Sequence, residues 1–442
     1  MVGSVEMDRL YWIAAIDFGI IFAPGPKLFA VVILSTIVFI FYYSFPQSRS
    51  PSLPDASTYV KEQRAIADFS ALNAKSLSDR LSFRALPNTR LIRAFDLLNS
   101  FTTLDENVHN RFLKSARDIV HTMDAGRWAR LSQVANQALD LALYDLDPPM
   151  APLHLAPLAR TFCFITIIHL LFQADLKQVN VGQARIATEA INHLWVQSKD
   201  PLREVSRRDQ DRLQAALRAL LPERFPWSPE DNPLNLIMPS YETMWRVVLL
   251  TFISAAFQSA QDTMAQFQGV VESVPQCLGQ NDIREKVALA FATEGLRLYP
   301  PTKSVYRGVL GAEGSRNTCN LLAANIEKCH RDRTIWGDDA LQFRPSRFCS
   351  EQDINPRLSK DMRQAYMPFG VGKHECPAKA GFGNRAIIIL VVSLAKRLGS
   401  KNSGSEFILG SDKFQGNLKT PLPSGRKDME NWRLNVGYKK PH

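Results

Sequence analysis

A mainly α-helical body with a small β component, carried behind one N-terminal transmembrane helix, is the fold class this chain predicts, and three observations predict it. Residues 28–45 (LFAVVILSTIVFIFYYSF) are uncharged and match the ~18–20 residues that cross a bilayer core as a helix. From about Lys61 to Tyr299 apolar residues recur at helical spacing, in amphipathic runs such as Gln183–Trp195 and Arg208–Leu221. Strand-like pieces are short and confined to the stretch after Pro301 and the C-terminus.

Taken in chain order, residues 1–27 form an expected lumenal or interfacial segment. Its apolar stretch Leu10–Ala23 carries Asp17 and stops at Pro24-Gly25-Pro26, so a second, hairpin-forming membrane segment stays open. Residues 28–45 are the expected single-pass anchor. A cleaved signal peptide needs a shorter apolar stretch and a small-residue site, which Tyr42-Tyr43-Ser44-Phe45-Pro46 does not offer. Arg49, Lys61 and Arg64 follow the span, whereas Glu6, Asp8 and Asp17 outnumber Arg9 and Lys27 before it, which directs the body to the cytosol. The Ser/Pro-rich stretch within residues 46–60 reads as a linker, and residues 61–442 as the catalytic body.

The chain as a whole has a composition able to bury a large core and a bulky ligand, with 45% hydrophobic and 22% charged residues. Its formal charge of +10 is scattered, with pairs such as Arg207-Arg208 but no long basic run, which argues against nucleic acid and for an acidic protein partner or anionic membrane lipid. Six cysteines (163, 277, 319, 329, 349 and 376) form no CxxC pair, so neither a disulfide framework nor a zinc ribbon is expected. Ala386–Ala395 (AIIILVVSLA), followed by Lys396 and Arg397, reads as a buried helix with a basic last turn, a buried strand being the alternative.

The stretch PFGVGKHECPA, Pro368–Ala378, holds the candidate chemistry. A phosphate loop would need Ser or Thr after Lys373, where His374 stands. A nucleophilic Cys376 would want a base from elsewhere in the chain. The third reading is a thiolate metal ligand in a glycine-turned loop, with loop N–H groups and a helix N-terminus lowering the thiol pKa.

Phe369-x-x-Gly372-x-x-x-Cys376-x-Ala378 resembles the cysteine loop of the cytochrome P450 haem-thiolate family, in which the cysteine is the proximal iron ligand. The resemblance implies Cys376 as metal ligand, His374 and Arg307 on the haem propionates, Phe369 shielding the sulfur, and Gly370 and Gly372 turning the backbone toward the macrocycle. Upstream, Glu294-x-x-Arg297 followed by Pro300-Pro301 is similar to the family's Glu-x-x-Arg helix, and Arg347 stands where the third member of its Glu-Arg-Arg triad is expected. These signatures run in family order from Phe291 to Leu398.

The family's distal helix usually carries A-G-x-[DE]-T, whose acid and alcohol relay protons. Counting back from Pro275 puts Ala255-Ala256-Phe257-Gln258-Ser259 over that motif, with Gln258 replacing the acid and Ser259 the alcohol. A second register uses Asp262 and Thr263, one turn later on the same expected helix face. The family's Trp-x-x-x-Arg helix is matched only by Trp128, with Ser132 at the arginine position.

The resemblance implies the cytochrome P450 fold, a helical haem-sandwiching body with short β-sheets, and heme b with a Cys thiolate axial ligand. It further implies a monooxygenase; the membrane anchor suits an apolar small-molecule substrate, terpenoid, steroid or polyketide-like, and the overall style resembles the fungal biosynthetic members of secondary metabolism. Electrons would come from NADPH through a separate NADPH-cytochrome P450 reductase, the anchor sitting in the endoplasmic reticulum. Two alternatives follow from the altered acid–alcohol pair and the short N-terminal half: a haem-thiolate isomerase or dehydratase without external electrons, and a membrane-bound haem-binding scaffold.

Overall fold

The computed structural model describes residues 55–144, 152–310, 319–349, 356–410, 412–413 and 418–437. The expected membrane segments and residues 46–54 of the expected linker lie outside the described residues. Residues 56–442 pack as one unit. Its first helix, α1 (Ala56–Ala67), begins inside the stretch expected to be linker.

The helices start where short polar side chains can take up unpaired backbone N–H groups. Helix α2 (Leu77–Ala85) opens with a capping box between Ser76 and Asp79. After α3 (Thr89–Phe95), the carboxylate of Asp105 accepts from Asn107 N at 2.6 Å and begins α4 (Glu106–His121). Helices α5 (Ala125–Tyr144) and α6 (Leu155–Phe172) follow; Asn180 then caps α7 (Val181–Ser198) and Ser206 caps α8 (Arg207–Leu220). These last two contain the amphipathic runs read from the sequence.

Helix α6 is long and apolar enough to cross a membrane, yet 72% of it is buried inside the protein, against α5, α7 and α9 (Leu234–Ile253). It is therefore a core helix. Helix α9 runs through the middle of the apolar core, then passes into a π-helical turn at Ser254–Gln258 and ends at Ser259, whose backbone is extended. Pro239 sits inside α9 and brings no N–H, so the Asn235 carbonyl lacks its helical donor; Asn99 Nδ2 donates to it instead at 3.0 Å. The later helices are α10 (Gln261–Ser273), α11 (Ile283–Leu298), α12 (Ile326–Arg331) and α13 (Phe382–Leu398). Helix α13 contains Ala386–Ala395, all of it buried, which decides that segment as helix; packing against α5, α9 and α11 covers it on all sides.

The sheets are small. Strands β1 (Leu153–His154), β4 (Glu406–Leu409), β5 (Asp412–Lys413) and β6 (Trp432–Asn435) form an antiparallel sheet in the order β1-β6-β4-β5. Strands β2 (Ser304–Leu310) and β3 (Cys319–Asn325) form a separate hairpin with Arg307 opposite Leu322. Among the described residues no strand precedes Leu153, and α1 passes to α2 through left-handed turns at Phe69 and Asn73.

Helices α9 and α11 approach closely at Gly295, where a Cβ would lie 2.0 Å from Thr251 Oγ1. That hydroxyl is buried without a partner. Gly295→Ala is therefore expected to lower stability by about 1–3 kcal/mol through overpacking, and Thr251→Ala in the same chain to restore most of it. Urea denaturation of the single and double variants checks this; equal loss in both would show that the helix contact is not the cause.

Candidate functional site

The cysteine loop folds back on itself. Cys376 N donates to Phe369 O at 2.9 Å, closing a tight turn whose Gly370 and Gly372 both have φ of +73°, a backbone conformation that residues with a Cβ rarely adopt. Phe369 packs its ring edge against Gly383 of α13, where a Cβ would come within 2.7 Å, so the aromatic is fixed directly behind the loop. Cys376 is exposed, while Cys163, Cys277, Cys329 and Cys349 are buried.

The sequence reading expected loop N–H groups and a helix terminus to lower the thiol pKa; the Ala378 N–H acts in that direction, while the helix terminus does not reach the sulfur. Helix α13 starts only at Phe382, so its N-terminus is not at the sulfur. Burial pushes the Cys376 thiol up, opposed by the Ala378 N–H and the Arg84 guanidinium.

Behind the loop lies a saturated arginine. Arg297 is fully buried and donates from Nε and Nη2 to both Glu294 oxygens at 2.7 Å each, from Nη1 to the carbonyls of His330 (2.6 Å) and Ala340 (2.7 Å), and from Nη2 to Gln342 O. Arg347 is held more loosely, 3.8 Å from Glu294; its tighter partner is Asp339, at 2.9 Å. His330 Nδ1 donates to Arg297 O at 3.0 Å and its Nε2 accepts from Met367 N at 2.8 Å. The network thus reaches the cysteine loop through His330, to which no motif in the sequence points.

In front of the loop, cations converge on His374. Arg80 Nε donates to its Nε2 at 3.3 Å and Arg84 Nη1 faces its Nδ1 at 3.2 Å. His109 of α4 lies with its ring 5.2 Å away and Phe69 at 5.1 Å, while Arg307 covers Phe69 at 4.0 Å. A neutral imidazole has only one acceptor nitrogen, so two guanidinium groups cannot both be satisfied by it. Arg307 donates to Ala67 O at 2.7 Å, but its Nε is buried without a partner. Burial and the neighbouring cations hold His374 down at about 3 and Arg307 at about 9, with Asp68 the acid acting against the shift at Arg307. The donor set is in excess, and carboxylates fit it.

This cluster was only half legible in the sequence. Arg80, Arg84 and His109 come from two helices far from the motif, and no local pattern announces them. Trp128, expected on the family's Trp-x-x-x-Arg helix, instead packs against Phe382, with Arg385 above it. Helix α4, bearing His109, occupies the position beside the loop.

The distal candidates separate in space. Gln258 Nε2 donates to Thr420 O at 2.8 Å, and Ser259 Oγ donates to Ala255 O at 3.0 Å. Asp262 and Thr263 lie in the first turn of α10, where Asp262 is exposed and accepts from Thr263 N. The two registers do not share a helix face, because the helix breaks at Ser259. A third acid–alcohol pair, Glu242-Thr243, sits in the middle of α9 within Pro239-Ser240-Tyr241-Glu242-Thr243. The missed signal was one carboxylate in a long apolar run, followed directly by threonine. Around it, Leu236, Pro239, Ser240, Thr243 and Arg246 are half-buried while the rest of α9 is buried, which marks one helix stripe as accessible. Thr243 Oγ1 donates to Pro239 O at 2.8 Å, and both Glu242 oxygens accept from Arg426, which is also buried.

Comparison with known proteins agrees with this geometry. Residues 289–380 match the family model described as Cytochrome P450. The chain is 32% identical over 164 residues to cytochrome P450 CYP82D47 of Panax ginseng, covering 35% of this chain and 42% of that protein. It is 30% identical over 180 residues to cytochrome P450 CYP82J17 of Trigonella foenum-graecum, covering 37% and 32%. It is also 40% identical over 88 residues to a bifunctional cytochrome P450/NADPH–P450 reductase of Bacillus subtilis, covering 19% and 8%. The chain spans less than half the length of these curated relatives. Haem b carries two propionates and takes a thiolate axial ligand, and both match the donors present.

His330 offers a test of the buried network. Burial first, then the Arg297 guanidinium, holds its pKa down at about 3. The unfolded imidazole titrates near ~6.5, so below that pH the unfolded chain binds a proton that the folded one refuses. The His330 contribution is complete above about pH 6.5 and is lost toward pH 3, at up to ~1.4 kcal/mol per pH unit. Urea denaturation across that window is expected to show a flatter acid slope for His330→Gln than for the unaltered chain; identical slopes would contradict it.

Proposed function

We propose that this chain is a haem-thiolate oxidoreductase of the cytochrome P450 family that oxidises a small organic substrate with dioxygen. The observation that carries the proposal is the pairing of an exposed Cys376 in a glycine-turned loop with a carboxylate-accepting cation cluster built from Arg84, Arg307 and His374. The family match over residues 289–380 supports it.

Cys376 would ligate the iron and Phe369 would cover the sulfur from the α13 side. His374, Arg84 and Arg307 would hold the propionates, while the Glu294–Arg297–His330 network keeps the loop in register. When bound, the haem supplies dioxygen activation, with electrons that originate from NADPH. The accessible stripe of α9 would line the substrate side, where the Thr243 hydroxyl is placed to accept and pass a proton. Ser259 and Gln258, both buried where Thr243 is half-buried, and Asp262-Thr263, on a surface turn, would have secondary parts. A separate membrane-bound reductase is the proposed electron source; in the Bacillus relative the two functions share one name. The substrate is proposed to have an apolar body, and the anchor to place the protein at the endoplasmic reticulum membrane.

One observation favours a second reading. Both oxygens of Glu242 are engaged by Arg426, so this carboxylate is poorly placed to relay protons, as an isomerase or dehydratase without external electrons would allow. Supplying or withholding reductase separates the two.

Reduced protein under carbon monoxide is expected to show the red-shifted Soret band of sulfur ligation, and Cys376→Ala to lose it. Thr243→Ala is expected to lower reductase-dependent turnover about 10²-fold and Ser259→Ala to leave it within a few-fold. A folded protein without the shifted band would end the haem-thiolate reading, and equal effects of the two hydroxyl deletions would remove Thr243 from its role.

A further inference from the structure

The accessible stripe of α9 is bordered by charge in a proportion that a purely apolar substrate does not explain. Arg426 pairs with Glu242, and Trp245 Nε1 also donates to Glu242, at 3.3 Å. That carboxylate is thereby fully used. Arg246 stands one helical turn after Glu242 on α9, Arg90 and Lys199 feel the charge of the same carboxylate, and among the described residues none of the three has an acidic side chain within ion-pair distance. Arg90 donates to Ser198 Oγ at 2.9 Å and lies over the Trp195 ring at 4.6 Å; Arg426 lies over that ring at 5.1 Å. Arg246, on the accessible stripe itself, donates from Nη2 to Pro301 O at 2.6 Å, while its Nε is buried with no partner.

The electrostatics follow from this arrangement. Burial, then Arg426, lowers the Arg246 pKa to about 10, and Lys199 is lowered by burial and then by Arg426, Arg90 and Arg246. Arg90 is lowered by burial and then by Arg426; Glu242 acts in the opposite direction on all three, joined at Arg246 by Glu327, which is itself paired with Lys303 and Arg331. Cations gathered around one carboxylate that Arg426 already pairs leave positive charge in excess, and that excess matches a planar carboxylate brought by a ligand, which can accept two parallel N–H bonds.

We propose that the α9 face binds its substrate through a carboxylate held by Arg90 and Arg246, with Lys199 at the exposed edge. The inference rests on the haem-thiolate reading for calling the bound acid a substrate. It deepens that reading by replacing a neutral apolar substrate with an amphipathic acid. Pro301, which anchors Arg246, leads directly into β2 and Arg307, and extended chain of that length reaches at most about 20 Å. The acid group and the cofactor cluster are thus close enough for one small molecule to lie between them.

The test uses the full chain loaded with haem and equilibrium dialysis of dodecanoate, hexadecanoate and abietate, each against its methyl ester. Each probe is read with and without Arg90→Met and Arg246→Met. The expected result is at least one acid bound ten-fold or more tightly than its ester, a preference that either variant abolishes while ester binding is unchanged. Arg246→Lys, which keeps the charge, is expected to retain part of the preference and shows that loss in the methionine variant is not misfolding. Esters bound as tightly as acids, no binding by any of the acids, or unchanged acid binding in both methionine variants would each overturn the proposal. Carbon monoxide spectra of the same samples report on the haem-thiolate reading separately, since dialysis does not depend on the iron.

Discussion

The fold depends on one buried guanidinium. Arg297 is completely enclosed, and all five of its N–H donors are engaged: two on Glu294, and three on backbone carbonyls of a segment thirty to forty-five positions further along the chain. An arginine cannot shed its charge, so once buried it imposes its geometry on every group that must satisfy it. The carbonyls of His330, Ala340 and Gln342 are held in one arc around α11, and the same carboxylate accepts Arg344 N. His330 carries the constraint onward by bonding Arg297 O with one ring nitrogen and Met367 N with the other. The cysteine loop therefore begins from a fixed point.

The loop meets a second constraint from α13. Glu285, buried at the start of α11, accepts from Gly279 N and Asn281 N and pairs with Arg385 of α13 at 2.7 Å. Helices α11 and α13 are thus tied at this end by charge and elsewhere by apolar contact. Phe369 against Gly383 completes the attachment. The thiol of Cys376 is positioned by these surroundings and not by the start of α13.

Two cation clusters divide the work around this frame. The one at His374 has donors in excess of acceptors and suits the carboxylates of a cofactor. The one at Glu242 has a single carboxylate already claimed by Arg426. Both would be costly arrangements in a protein that bound only neutral ligands, because buried cations without partners raise the energy of the folded state. The β2–β3 hairpin, with Tyr306 and Leu321 about half exposed, gains no neighbouring strand among the described residues.

What the sequence determined by itself was local. The glycines of the cysteine loop, the Glu294-x-x-Arg297 spacing, the amphipathic α7 and α8 and the apolar α13 are legible because they depend on residues a turn or a few positions apart, where dihedral preference and helical periodicity act directly. Even there, one acid–alcohol pair is easily passed over: counting from Pro275 leads to Ser259, while Glu242-Thr243 stands earlier in the same apolar stretch. What only the tertiary structure decided was convergence. Arg80 and Arg84 reach His374 across nearly three hundred positions, and Arg426 reaches Glu242 across one hundred and eighty-four. Such pairs leave no periodic trace, because charge neutralisation in a low-dielectric interior depends on separation in space and carries no memory of separation along the chain.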